Sequence, residues 1–97
     1  TYFALAVIRL AAGETAAYRA IAAGAVRAFV GTASPEAARL AAWATALGPD
    51  AIDDYEPALA LARAAVQRRP RNADAIKTLG AVLLRAGRYA DAAEQLE

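Results

Sequence analysis

Two groups of charged residues are spaced closely enough to suggest chemistry: the acids Asp50, Asp53, Asp54 and Glu56, and the arginines Arg63, Arg68, Arg69 and Arg71. Clustered carboxylates could hold a divalent cation. A calcium loop, however, alternates its ligands as D-x-D-x-D-G, and these acids do not, so helix capping is the simpler role. The arginines could bind phosphate or nucleic acid. Beside a helix end, where cations complement the helix dipole and are easily solvated, they read first as a charged terminus. The chain has no histidine and no cysteine. That removes the commonest general base and metal ligand, together with thiol nucleophiles, zinc-thiolate sites and disulfides. There is no P-loop and no G-x-S-x-G elbow. The expectation is a chain without catalysis, cofactor or metal.

Any function must then lie in the elements that carry these residues. Ninety-seven residues is about one domain, and the net charge is +1 with both signs interspersed. No global field draws in nucleic acid or a membrane surface. The apolar runs "YFALAVI" and "AIAAGAV" stop at Arg9 and Arg27, short of the roughly 18 residues a membrane helix needs. No basic segment precedes an apolar one at the start, so a cytoplasmic location is expected. Alanine, about a third of the chain, has the best helix propensity and adds little apolar area, which favours closely packed helices over one large core. β-branched and aromatic residues do not alternate with polar ones, so the predicted class is all-α.

Gly13, "VGTASPE" at 30–36, "GPD" at 48–50, "RRPRN" at 68–72 and Gly87 cut the chain into six helical pieces. Ser34, Pro35 and Glu36 supply an N-cap, a first-position proline and an acid at the positive helix end. That helix is expected to run to Leu47, with Gly48 left-handed and Pro49 preventing continuation. Asp53 and Asp54 are candidate caps for the next helix, Pro57 fits its first turn, and Asn72 can cap the fifth. Leu40, Trp43 and Leu47 share one helix face, as do Ile21, Ala25 and Phe29, and both stripes are expected in the core.

The spacing also repeats. Tyr55 and Tyr89 are 34 positions apart, as are Ala58 and Ala92, and Ala62 and Leu96. "LAVIRLAAG" at 5–13 matches "LGAVLLRAG" at 79–87, pairing Leu5 with Leu79, Ala6 with Gly80, Ile8 with Val82 and Gly13 with Gly87. This second offset, 74, exceeds two periods of 34 by six, and an enlarged connection around "FVGTAS" would absorb the surplus. Gly80 and Ala92 are small, as closely approaching helices require, and Tyr89 is expected to fill the space between its two helices.

These residues resemble the tetratricopeptide repeat family, whose unit is a 34-residue helix-turn-helix with the pattern W-x2-L-G-x2-Y, A-x3-F, P. Ile76, Leu79-Gly80, Leu83, Ala92 and Leu96 meet it in the last unit; Tyr55, Ala58, Ala62, Ala65 and Pro70 meet its second half in the unit before. In that unit Leu47-Gly48 falls two positions late relative to Tyr55, and in the first unit Tyr18 stands where a small residue is expected. The resemblance implies a right-handed solenoid of three helix pairs, in units 2–30, 35–70 and 72–97. It also implies a protein or peptide partner on the concave face of the first helices. The matching groove positions are Asp74, Lys77, Thr78, Ala81 and Arg85. Some relatives clamp a C-terminal carboxylate with Lys and Asn; Lys77 matches one such Lys, but Ala81 stands in an Asn place. More narrowly, the chain is similar to repeat regions of planctomycete-type bacterial multidomain proteins. The expected function is a protein–protein interaction scaffold. The alternative is a homo-oligomer formed through the solenoid ends, with Leu83, Leu96 and their neighbours covered by another copy.

Overall fold

A computed structural model describes residues 2–96; the side chain of Leu96 lies outside that description. The helices are α1 (Tyr2–Ala11), α2 (Thr15–Phe29), α3 (Pro35–Ala46), α4 (Glu56–Arg68), α5 (Ala73–Arg85) and α6 (Tyr89–Leu96). No strand occurs among the described residues.

Local chemistry starts α3 and α5 in the same way. Ser34 Oγ accepts the Ala37 N–H at 3.1 Å, and Asn72 Oδ1 accepts the Ala75 N–H at 3.0 Å. Each bond satisfies a first-turn donor that the helix leaves unpaired, an arrangement worth about 1 kcal/mol. In the connection before α4, Asp54 Oδ1 accepts the Glu56 N–H at 3.0 Å. The ends of α1 and α5 also match. Gly13 and Gly87 take φ of 75° and 80°. The Gly13 N–H donates to Leu10 O and the Glu14 N–H to Arg9 O; the Gly87 N–H donates to Leu84 O and the Arg88 N–H to Leu83 O. This paired Schellman bonding satisfies the last carbonyls and reverses the chain within three residues.

α3 ends differently from expectation. It stops at Ala46, Leu47 is right-handed, and the left-handed conformation falls on Asp50 (φ 55°), not on Gly48. Gly48 is needed for proximity: a Cβ there would lie 3.0 Å from Leu10 Cδ1 and 3.2 Å from Tyr18 Cε2. The surplus residues are likewise not at 30–34. They form the long α3–α4 connection 47–55, whereas the α1–α2 and α5–α6 turns occupy only 12–14 and 86–88.

Each helix packs on its hairpin partner: α1 on α2, α3 on α4, α5 on α6. α2 also packs on α3 and α4 on α5, while α1, α3 and α5 form a neighbouring row. Among the described residues the first pair makes no contact with the third. The main apolar cluster runs from Ala25 and Val26 through Leu59, Leu61 and Ala62 to Leu79, Val82, Leu83 and Ala92. A smaller one joins Ala6, Tyr18, Ala22, Ala44 and Ala51, with Leu10, Ile21 and Leu47 against it. Most buried residues are alanine, so helices approach closely and each full-sized side chain matters; burying Leu59 alone is worth about 1.5–3 kcal/mol.

Tyr89 does not fill an interhelical space: it is 70% exposed. Its counterpart Tyr55 is half-buried against the main cluster, as is Ala86 at the end of α5. Among the described residues no helix packs on α6 other than α5, and Tyr89 stands open. Leu83, expected at an open end, is buried.

Candidate functional site

Counting from the matched caps Ser34 and Asn72 places residues of α3 and α5 in common register. Glu36 corresponds to Asp74, Arg39 to Lys77, Leu40 to Thr78, Trp43 to Ala81 and Leu47 to Arg85. Positions separated by three or four residues line one helix face. α3 and α5 are neighbouring helices, so the two stripes are carried on adjacent elements.

The five groove positions read from the sequence have four different fates. Asp74 and Lys77 are exposed and Ala81 is half-buried. Thr78 is buried, its hydroxyl donating to Asp74 O at 2.7 Å, which removes it from any ligand-accessible surface. Arg85 Nε donates to Ala46 O at 3.1 Å. It thereby caps the end of α3, where four carbonyls lack helical partners.

Sequence reading missed the α3 half of the row. Trp43 is half-buried, not a core residue, and Leu40 and Arg39 are half-buried beside it. Glu36 pairs with Arg39 one turn away. The Arg39 guanidinium lies above its ordinary pKa chiefly because Glu36 accepts its hydrogen bond, with a smaller contribution from Asp74 across the helix row. The same bond pulls the Glu36 carboxyl below the usual range. The pair is therefore largely self-compensated, while Lys77 remains an exposed cation. The signal that could have found these residues was the N-cap register, shared by Ser34 and Asn72.

Toward α1 the row opens into an apolar cleft of about 320 Å³ lined by Tyr2, Phe3, Phe29, Ala37, Leu40 and Ala41. Tyr2 and Phe29 meet edge to face, with ring centroids 6.0 Å apart, a geometry favoured by the ring quadrupoles. The cleft adjoins the α3 stripe at Leu40, and Asp74 of α5 lies near Arg39 of α3.

Several members of the charged clusters make bonds within the fold. Asp53 pairs with Arg19 and Glu56 with Arg88. Arg68 donates to Thr32 O at 3.1 Å. Such exposed ion pairs contribute at most about 1 kcal/mol each. No three potential metal-ligating side chains converge among the described residues, and no helix there is long and apolar enough to cross a membrane.

Comparison of the chain with protein families, curated proteins and solved structures gave no match.

Proposed function

We propose that this chain is a non-catalytic protein–protein interaction scaffold of tetratricopeptide type, a right-handed solenoid of three helix pairs that binds an extended peptide along α1, α3 and α5. The observation that carries the reading is the common register of α3 and α5. It aligns Arg39 with Lys77 and Trp43 with Ala81 on adjacent helices, as a repeated binding surface would. The neighbour-only packing of the helix pairs supports the solenoid.

The peptide this row suits carries an aliphatic or aromatic side chain for the cleft and an acidic group for Lys77. Such anchors supply most of the energy in peptide recognition, and the charge supplies orientation. Trp43 is the single tryptophan of the chain and reports directly on occupancy. Peptides selected from a random-sequence display library are expected to shift its fluorescence. Lys77→Glu should weaken them about tenfold, the equivalent of ~1.4 kcal/mol, with helicity unchanged. Selected peptides that leave Trp43 emission unaltered and tolerate Lys77→Glu would place binding elsewhere.

A further inference from the structure

The net charge of +1 hides a separation of charge along α4. The segment that leads into this helix, 48–56, carries Asp50, Asp53, Asp54 and Glu56 and no base. The stretch at its other end, 60–72, carries Arg63, Arg68, Arg69 and Arg71 and no acid. The thirteen residues of α4 span about 20 Å between the two groups.

The groups differ in how far the fold uses them. At the acidic end Asp53 meets Arg19, Glu56 meets Arg88, and Asp54 accepts the Glu56 N–H. At the basic end Arg68 donates to the neutral Thr32 carbonyl. Arg63, Arg69 and Arg71 are exposed, with no hydrogen-bonded or ion-paired partner among the described residues. The charge of Arg69 reaches Glu36 of α3, but that carboxylate is already held by Arg39.

Arg69 and Arg71 are also fixed in position. Residues 69–72 form a turn closed by the Asn72 N–H, which donates to Arg69 O at 3.0 Å, and Pro70 presets the backbone at the second position. With Pro70 and Asn72 the two arginines line an open hollow of about 400 Å³. Each planar guanidinium can take a carboxylate through two parallel hydrogen bonds, and a preset backbone has little freedom left to lose on binding.

We infer that the 69–72 turn docks an acidic segment of a partner protein, with Arg69 and Arg71 each taking a carboxylate and the charge of Arg68 adding to the attraction. In an extended segment, carboxylates two positions apart stand about 7 Å apart on one side, so a Glu-x-Glu run suits two arginines that are themselves two positions apart. Nucleic acid suits the hollow less. No aromatic side chain lines it for a base to stack on, and Glu36 beside Arg69, with Asp74 two positions past Asn72, would oppose a continuous phosphate backbone. The turn belongs to the α4–α5 connection and not to the α1, α3 and α5 row, so failure of peptide capture along that row leaves this inference intact.

The test is fluorescence anisotropy with a dye-labelled peptide of alternating Glu and Ser, and a Gln–Ser peptide as the uncharged control. The Glu–Ser peptide should bind the whole chain and the Gln–Ser peptide should not. Raising salt from about 50 mM to about 200 mM should weaken binding several-fold. Arg69→Gln with Arg71→Gln should weaken it at least about tenfold, whereas Arg9→Gln with Arg19→Gln, the same change in net charge away from the turn, should leave it within about twofold. All four side chains are exposed, and circular dichroism should show full helicity in both variants. Should the turn variant lose helicity, Arg71→Gln alone is expected to weaken binding about threefold with the helices intact. Trp43 emission should not change on binding. A shift there would place the peptide in the row and overturn the inference. Equal binding of the two peptides, equal losses in the two double variants, or an oligonucleotide that binds more tightly than the Glu–Ser peptide at matched length and salt would overturn it as well.

Discussion

α5 and α3 end in opposite ways. α5 closes on its own backbone through Gly87, with both Schellman bonds made inside residues 83–88. α3 has no such motif. Its Ala44 carbonyl receives the Tyr18 hydroxyl from α2 at 2.7 Å, and its Ala46 carbonyl receives Arg85 from α5. The Tyr18 oxygen in turn accepts the Gly48 N–H at 2.9 Å. A tight turn is self-sufficient, whereas a long connection borrows its caps from both neighbouring pairs.

The contrast predicts a graded response. Tyr18→Phe should be the most damaging single change in the series, because it strands the buried Ala44 carbonyl and Gly48 N–H at about 1–3 kcal/mol for each group left unpaired. Chemical denaturation should show this as a lower midpoint with an unchanged slope. The same hydroxyl sets a pH limit. Burial pushes the Tyr18 pKa above its ordinary value of 10.0, partly offset by the bond from Gly48. The folded state therefore holds the proton more tightly than the unfolded state. Tyr18's contribution is complete below pH 10 and is lost as pH rises through the folded-state value, so the alkaline limb of a stability–pH curve should be shallower in Tyr18→Phe.

Gly87→Ala comes next, with a cost of about 1–2 kcal/mol for a side chain in the left-handed region. A change in thermal midpoint without loss of helical content would confirm that the turn, and not α5 itself, is strained. Arg85→Gln should cost no more than about 1 kcal/mol, since the bond to Ala46 is exposed. At the bottom of the series, Tyr89→Phe should leave stability within about 0.5 kcal/mol of wild type, as for surface changes in general. A large effect there would show that Tyr89 is covered, and would dissolve the contrast with Tyr55.

Features set by nearby residues were legible in the sequence. The all-helical class follows from the alanine content, and the Ser34 and Asn72 caps and the Gly13 and Gly87 turns each depend on a few adjacent positions. The end of α3 was not legible, because Gly48 answers to Tyr18, thirty positions away. For Tyr89 the deciding fact is which helices pack on α6, and no local pattern encodes that. The candidate row divides similarly. Asp74 and Lys77 came from the repeat resemblance in α5, but Leu47-Gly48 offered a false register for α3 because that pair lies past the end of the helix, which stops at Ala46. Its start kept true register, and Arg39, Leu40 and Trp43 emerge only when positions are counted from there.

The borrowed caps of α3 bear on how the molecule opens. In a repeat whose units each closed on themselves, the ends could peel away while the middle stayed formed. Here, loss of α2 removes the Tyr18 bridge and loss of α5 removes Arg85, so fraying at either flank releases the last turn of the central helix. Amide protons in the last turn of α3, and that of Gly48, should therefore exchange with solvent whenever either flanking pair opens, ahead of those in the middle of the helix.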